Sequence, residues 1–310
     1  MDSGKASVLP DPALSLDGGE PRGVHLERRE APEPWTIEPL AAGVRPRLSE
    51  IWQYRRLTAF FGRKALQKLY ARTKLGWLWL FIRPLFPLLT KTIIFGGMLG
   101  VASEGVPYFL FLVTASTVWE LFSSALMWGT RSLELNRGLL RQIYVPRLIM
   151  PLAMMTPAFL TFFIYIGVLV VALAWYGVAD GRVYLNAGPD LLWAPLAAVL
   201  AVLLAFALAL WTSVPAMAAR DVRFTLGYVL GFWVFLTPVM YPLSTVPPEW
   251  RPWMVLNPMA PIVETFKFGV LGIGSPEPWQ LGVSAGVIAV VLAGGLLFFV
   301  RAEADAADRV

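Results

Sequence analysis

The 310-residue sequence contains no cysteine and only one histidine, His25. Without cysteine, a disulfide framework, a thiolate metal site and a cysteine nucleophile are all excluded. His25 lies in a polar N-terminal stretch, where a lone histidine is far more often a solvated side chain than a ligand or a base. We therefore expect neither thiol chemistry nor a metal centre in this chain.

Charged residues are also scarce. They make up 15% of the chain against 57% hydrophobic residues, and the mean hydropathy is +0.61. An average soluble domain has roughly 25% charged residues. The net charge of +5 does not indicate nucleic-acid binding, because the basic residues flank the apolar runs, where loop orientation in a membrane explains them. The composition is typical of an integral membrane protein with no nucleic-acid partner.

Residues 1–49 lack an apolar run and are rich in Pro, Gly, Asp and Glu. A cleaved signal peptide requires an apolar stretch, and a packed domain requires apolar side chains to bury. We therefore predict a disordered cytoplasmic tail over 1–49, followed by a transmembrane domain over 50–310.

Residues 50–74 carry apolar side chains at intervals of three and four, with arginine and lysine largely on the opposite face. The apolar stripe consists of Ile51, Tyr54, Thr58, Phe61, Ala65 and Leu69. A basic amphipathic helix of this kind is typical of the cytoplasmic membrane interface, where anionic headgroups attract cations. We predict an interface helix over 50–74, and the alternative is a helix packed on a soluble domain.

Six apolar runs have about the length that a bilayer requires of a spanning helix, roughly 20 residues. They cover 75–101, 108–129, 151–176, 191–217, 224–241 and 279–300. The segment 243–274 is interrupted too often by proline for one continuous helix, and broken backbone must pack on protein or line a water-filled cavity. The fold class predicted is therefore an all-α integral membrane protein. It has six transmembrane helices, an N-terminal interface helix and a broken outer helical segment between spans five and six.

The distribution of lysine and arginine predicts the orientation, because cytoplasmic loops carry an excess of these residues. Basic residues concentrate before the first span and in the second and fourth connections. The alternate connections hold only Arg182, Arg251 and Lys267. Both termini are therefore predicted to be cytoplasmic, and the broken segment is predicted to lie outside.

The sequence contains neither a GxxxxGK[ST] motif nor an HExxH motif. It therefore has no phosphate-binding loop for ATP and no signature of a zinc metalloprotease. Any chemistry that drives this protein is expected to come from a partner.

Four segments together resemble one known family. They are YARTKLGWLWLFIRPL at 70–85, NRGLLRQIYVPRLIMPLA at 136–153, RDVRFTLGYVLGFWVFLTPVMYP at 220–242 and LNPMAPIVETFKFGVLG at 256–272. In this order and spacing they resemble the permeases of polysaccharide ABC exporters represented by Wzm and TagG, which are type 2 ABC exporters. Ala65, Leu69 and Leu148 depart from the family pattern, which usually has ionisable residues at these positions.

The resemblance implies a permease subunit that moves a lipid-linked polysaccharide, such as O-antigen or teichoic acid, across the bacterial inner membrane. It also implies a homodimer in contact with membrane lipids, docked on a separate ABC nucleotide-binding subunit. ATP and Mg would bind to that ATPase partner, and this chain would be neither an enzyme nor a binder of cofactors. A membrane-embedded glycosyl or acyl transferase is an alternative, but the spans supply almost no acid/base side chains. A secondary transporter is a second alternative, but the two halves of the sequence show no repeated pattern of broken helices.

The resemblance places the first and fifth spans along the substrate path, where aromatic rings could stack on sugars. The candidate path residues are Lys91, Tyr228, Phe232, Trp233, Phe235 and Tyr241. An aromatic belt at the membrane interface is the alternative for the rings. Lys91 and Glu120 lie within spans, where a midplane charge costs roughly 2.5–3.5 kcal/mol. They form a structural pair or snorkel, or else Lys91 meets a phosphate of the substrate.

The segment 136–147 resembles the part of the family that docks on the ATPase. Its candidate coupling residues are Leu139, Leu140, Arg141, Ile143, Tyr144 and Arg147. Gly138 and Pro146 would bound a short helix there, whose apolar side chains contact the partner. The two arginines could pair with acidic residues of the partner or with anionic lipid.

Overall fold

The fold is that of a computed structural model, which describes residues 54–70, 78–140, 148–274 and 276–307. The predicted tail over 1–49 lies outside these ranges. Within them every regular element is helical, and no strand occurs. The helices are α1 (Arg55–Tyr70), α2 (Trp79–Lys91), α3 (Tyr108–Thr130), α4 (Ser132–Leu135), α5 (Arg137–Leu140), α6 (Ile149–Met154), α7 (Thr156–Asp180), α8 (Trp193–Ala218), α9 (Asp221–Trp233), α10 (Arg251–Leu256), α11 (Met259–Leu271) and α12 (Pro278–Ala307).

Five helical stretches in the described ranges are long and apolar enough to cross a membrane. They are Trp79–Met98, Tyr108–Thr130, Ile149–Asp180, Pro189–Ala218 and Pro278–Ala302. These stretches correspond to five of the six predicted spans. The first contains α2 and a π-helical continuation, Thr92–Met98. Over the described ranges the protein is therefore all-helical and multi-pass, as its apolar runs predict.

The predicted fifth span, 224–241, contains only a short helix. α9 ends at Trp233, and tight turns follow, in which the N–H of Phe235 donates to Phe232 and that of Leu236 to Trp233. Pro238 has no N–H and cannot donate a helical hydrogen bond. Because α9 is only 13 residues long, it is not among the five candidate spans, and the count of six stays a prediction.

The core of the bundle forms around α3, whose residues Leu110 to Ala115 are fully buried. This helix packs against α7, α8 and α11. Close approach requires a glycine, since a Cβ at Gly129 would lie 2.7 Å from the side chains of both Ala209 and Met155. By contrast, α2 buries only Pro84 and Leu88. One surface of the bundle is therefore formed by a loosely packed span.

The segment between α9 and α12 is broken, as predicted. A 3-10 turn at Leu243–Thr245 precedes α10 and α11. Nearly every residue of α11 is buried, and the helix packs against α3, α8 and α12. The α11 part of the segment therefore packs on protein, which is one of the two alternatives that the sequence predicts.

α1 lies against α6 and α7. Its residues Phe61 and Ala65, both on the predicted apolar stripe, are buried, whereas Phe60 is exposed. Residues 50–53 and 71–74 of the predicted interface helix fall outside the described ranges. The position of α1 at the membrane surface stays a prediction.

Candidate functional site

A groove of about 570 Å³ lies between α2 and α9, with α3 as its floor. Lys91 of α2 and the α3 residues Glu120, Ser123 and Ser124 line it with polar groups. Gly227 and Gly231 of α9 line the opposite wall, together with apolar side chains. We call this space the membrane groove.

The width of the membrane groove depends on two missing side chains. Gly227 and Gly231 lie one turn apart on α9, and a Cβ added at either position would meet no atom within 4 Å. Larger side chains at these positions would project into open space at the edge of the groove. The two glycines therefore keep the wall open.

Lys91 and Glu120 share the groove without direct contact. Both side chains are partly buried, and within the described residues neither forms an ion pair within 4.0 Å. Glu120 also lines a smaller cavity of about 220 Å³, together with Arg83 and Tyr165. One carboxylate thus lies between two polar cavities near the middle of the bundle.

The exposed face of α9 is aromatic. Tyr228 is 82% exposed, Phe232 67% and Phe235 53%. Tyr228 and Phe232 line an open apolar hollow of about 540 Å³, together with Val229, Trp233 and Leu236. We call Tyr228 and Phe232 of α9, together with Phe235 in the turns that follow, the aromatic face. These rings are available to a ligand, a lipid or a second protein chain.

Trp233 differs from the three residues of the aromatic face because its ring is held by contacts within the protein. Its indole N–H donates to Asn257 Oδ1 at 2.9 Å. The ring packs edge-on against Phe122 and Trp119, with centroid distances of 5.3 and 6.3 Å. Trp233 therefore anchors α9 to α3 and to the segment that begins α11.

The comparison with protein families decides the class of this chain. The model of the family described as "ABC-2 type transporter" matches residues 57–271. This match contains both walls and the floor of the membrane groove. The chain belongs to the ABC-2 type transporter family.

This ABC-2 transporter is similar to curated proteins named "O-antigen export system permease protein RfbA". The relative from Myxococcus xanthus is 26% identical over 259 residues, which cover 82% of this chain and 95% of the relative. A relative from Klebsiella pneumoniae is 28% identical over 209 residues, covering 66% and 76% of the two chains. A second Klebsiella relative is 28% identical over 217 residues, covering 67% and 79%.

The remaining candidate residues of this ABC-2 transporter are placed as follows. The Tyr241 hydroxyl donates to the carbonyl of Phe235 at 2.9 Å, so it braces the turns after α9. Leu139 and Leu140 end α5, and their side chains are not among those described. The other candidate coupling residues, Arg141, Ile143, Tyr144 and Arg147, lie outside the described ranges.

Asn257 is a residue of the ABC-2 transporter that sequence reasoning missed. Its side-chain amide donates to the carbonyl of Leu236 at 3.1 Å and to Thr237 Oγ1 at 3.0 Å. Its Oδ1 also accepts from the backbone N–H of Met259 at 3.1 Å. Backbone groups that leave a helix need such partners. An asparagine just before a helix is a recognisable signal for its own helix start, but its bonds to the distant turns are not visible in the sequence.

Lys267 is the second residue that sequence reasoning missed, since the charge rule counted it only as a loop cation. It is 0% exposed, and its Nζ lies 2.5 Å from Glu264 Oε1 and 3.3 Å from the carbonyl oxygen of Pro238. The Nζ also lies 4.4 Å from the ring centroid of Phe111. Burial raises the pKa of Glu264, and the Lys267 ammonium offsets part of this effect. The pair fixes α11 to the turns that follow α9.

Within the described part of this ABC-2 transporter, no three His, Asp or Glu side chains gather as a metal site would require. The polar groups of the membrane groove are instead a cation, a carboxylate and two hydroxyls. Such groups can bind an anion and the hydroxyls of a ligand.

Proposed function

We propose that this chain is the permease subunit of an ATP-driven exporter that moves a lipid-linked polysaccharide across the bacterial inner membrane. Membership of the ABC-2 type transporter family supports transport. The similarity to proteins named O-antigen export permeases supports a glycan as the cargo.

The observation that carries the proposal is the position of the membrane groove. Lys91 and Glu120 line an open space near the middle of two spans. Exposure of either charge to hydrocarbon would cost roughly 2.5–3.5 kcal/mol. This side of the subunit therefore faces water, substrate or a second protein chain rather than lipid. The aromatic face of α9 lies beside it and supplies flat rings for sugars.

A second copy of the chain would complete the path. The groove is open on the surface of one subunit, between the loosely packed α2 and the exposed α9. A homodimer that joins these surfaces would enclose the charges and leave a polar route between the copies. In that assembly α9 and its following turns form the sixth crossing. α1 then lies in the cytoplasmic interface, and both termini are cytoplasmic.

The energy comes from a separate ABC ATPase subunit, which binds ATP and Mg. The segment 136–147 docks on that subunit, with Leu139, Leu140, Ile143 and Tyr144 as apolar contacts and Arg141 and Arg147 as charged ones. Nucleotide-driven closure of the ATPase would then move the spans as rigid bodies. This chain itself carries out no chemistry.

The test is reconstitution of the purified chain with its ATPase in proteoliposomes that contain a lipid-linked polysaccharide. We expect ATP-dependent movement of the glycan to the opposite leaflet, measured by its accessibility to a glycan-degrading enzyme. An ATPase-dead partner is the control and is expected to abolish this movement. Failure to form a complex with any ATPase subunit would contradict the proposal.

A further inference from the structure

The membrane groove holds two opposite charges that do not touch. Lys91 reaches it from α2 and Glu120 from α3, and the described residues place no ion-pair partner within 4.0 Å of either. Direct pairing would be the simplest way to stabilise two such charges in a membrane. The open space between them instead suits a ligand that has an anionic end and a hydrogen-bond-donating end.

We propose that the membrane groove binds the junction between the phosphate and the first sugar of a lipid-linked glycan, with Lys91 taking the phosphate and Glu120 the sugar hydroxyls. The proposal rests on the function proposed above. An ammonium group donates to phosphate oxygens, and a carboxylate accepts from hydroxyls in charge-assisted hydrogen bonds. Ser123 and Ser124 add hydroxyls that can donate or accept on the same helix.

Simpler ligands provide a favourable partner for only one of the two charged groups, Lys91 or Glu120. A bare diphosphate would place negative charge beside the Glu120 carboxylate, which is repulsive in a site of low dielectric constant. A neutral sugar would leave the Lys91 ammonium partly desolvated without an anion. A sugar phosphate satisfies both groups at once. The groove volume of about 570 Å³ lies within the range of small-ligand sites, roughly 300–1,000 Å³.

The wall opposite these charges fits the same ligand. Gly227 and Gly231 leave open space at two positions of the α9 wall, so a sugar ring can enter between α9 and α3. Phe235 lines the groove and is half exposed. Its ring can cover an apolar face of the sugar. Arg83 lines the separate smaller cavity and not the membrane groove, so its substitution is a control that removes a nearby positive charge from outside the groove.

The experiment uses the full chain with its ATPase partner in nanodiscs and two probes, farnesyl diphosphate and the same lipid carrying one N-acetylglucosamine. A charge-assisted hydrogen bond of about 1.5–3 kcal/mol corresponds to roughly ten- to hundredfold in affinity. We therefore expect the glycosylated probe to bind at least about tenfold more tightly. Lys91→Gln is expected to weaken both probes by a similar factor. Glu120→Gln is expected to strengthen farnesyl diphosphate and to remove most of the preference for the sugar.

Arg83→Gln is the control and is expected to leave both affinities and their ratio unchanged. A second readout keeps the test valid if Glu120→Gln fails to insert. Because the chain has no cysteine, Ser123→Cys in a cysteine-free complex gives a single thiol in the groove. Its alkylation should be slowed by the glycosylated probe more than by farnesyl diphosphate.

Unchanged affinities in both Lys91→Gln and Glu120→Gln, in a complex that still exports glycan, would overturn the groove assignment and leave the proposed function standing. The thiol could also be protected as well by phosphatidylethanolamine nanodiscs as by the glycosylated probe, and not be protected by phosphatidylglycerol nanodiscs. That result would overturn the groove assignment too, because the groove would then hold a zwitterionic lipid headgroup. A complex that exports no glycan and binds neither probe would overturn the proposed function as well.

Discussion

Arg223 donates from its Nη1 to both carboxylate oxygens of Glu134, at 3.0 and 3.1 Å. Arg223 lies in the first turn of α9, and Glu134 lies in α4, just before α5. Both side chains are mostly buried, with 21% and 26% of their surface exposed. The ion pair therefore connects the helix that carries the aromatic face to the segment in which the ATPase contacts are predicted.

We expect the ion pair between Arg223 and Glu134 to transmit movement between the predicted ATPase-docking segment and α9. Glu134→Gln and Arg223→Gln should each lower the amount of glycan exported per ATP hydrolysed, while insertion into the membrane is kept. The exchanged pair Glu134→Arg/Arg223→Glu should recover part of the coupling. A double-mutant cycle on export measures this, with an interaction free energy of about 1 kcal/mol expected for a partly exposed pair. Strictly additive effects of the two single variants would contradict a direct role of the pair.

The predicted docking segment can be tested by a double substitution, Leu139→Ser/Ile143→Ser. We expect the protein to insert normally but to bind its ATPase subunit at least about tenfold more weakly, because two apolar contacts of roughly 1 kcal/mol or more each are removed. Co-purification with the ATPase and export per ATP measure the effect. Leu185→Ser, in the loop between α7 and α8, is the control because its half-exposed side chain lies in another connection. Normal docking and normal coupling in the double variant would show that the partner binds elsewhere.

The residues of α9 should divide into two groups on substitution. Tyr228→Ala and Phe232→Ala should reduce export and leave thermal stability nearly unchanged, because both rings are exposed. Trp233→Ala should lower the stability by about 3 kcal/mol, since it removes a packed ring and the partner of Asn257. Trp233→Phe keeps most of the packing and should cost only about 1 kcal/mol for the lost hydrogen bond.

Thermal unfolding of the detergent-solubilised protein and glycan export in proteoliposomes give the two readouts. Full export by both Tyr228→Ala and Phe232→Ala would assign these rings to lipid contact instead. Full stability of Trp233→Ala would mean that the indole does not anchor α9.

The buried pair of Lys267 and Glu264 gives a prediction about stability alone. Lys267→Met leaves a buried carboxylate without its cation and should destabilise the protein by about 3–5 kcal/mol. Glu264→Gln/Lys267→Met removes both charges, and most of the stability should return. Arg251→Met is the control, because Arg251 is exposed and donates only to the carbonyls of Val246 and Ser244. A double variant as unstable as Lys267→Met would show that the lost bond to Pro238, rather than the stranded charge, is responsible.

The orientation can be tested with single cysteines in this cysteine-free chain. Glu249→Cys is exposed in the segment between α9 and α10 and should react with an impermeant thiol reagent added outside the cell. Ala219→Cys, exposed between α8 and α9, should react only after the membrane is permeabilised. Thr265→Cys is a negative control for burial, since Thr265 is only 1% exposed. The reverse pattern of labelling at Glu249 and Ala219 would invert the topology.

The sequence predicts well the features that depend on how side chains and backbone partition between water and the membrane. Apolar runs predict six spans because hydrocarbon requires long helices without charge, and five of these appear as long apolar helices in the described ranges. Prolines predict the broken segment. The apolar stripe of α1 correctly includes the buried Phe61 and Ala65. These features follow from local composition and spacing alone.

Tertiary contacts decide the features that were not predicted. Pro238 marks the region where α9 ends, but the helix stops a turn earlier, at Trp233. The bonds of Asn257 to Leu236 and Thr237 stabilise those turns. Likewise, Lys267 is one cation among many until α11 is packed against α3 and Pro238. A single sequence contains the residues of these contacts but not the distances between them.

The loose packing of α2 bears on how the protein enters the membrane during synthesis. Its stretch, Trp79–Met98, has the lowest mean hydropathy of the five, 1.3 against 2.4 to 2.6 for the three later ones. It also carries Arg83 and Lys91 and two internal prolines. Transfer of such a segment from the translocon into lipid is less favourable, because each charge near its centre raises the free energy of insertion. Glu120 arrives with the next span and brings the opposite charge into the same groove. Stable insertion of the first span is therefore expected to await synthesis of the second, so that the two leave the translocon as a helical hairpin.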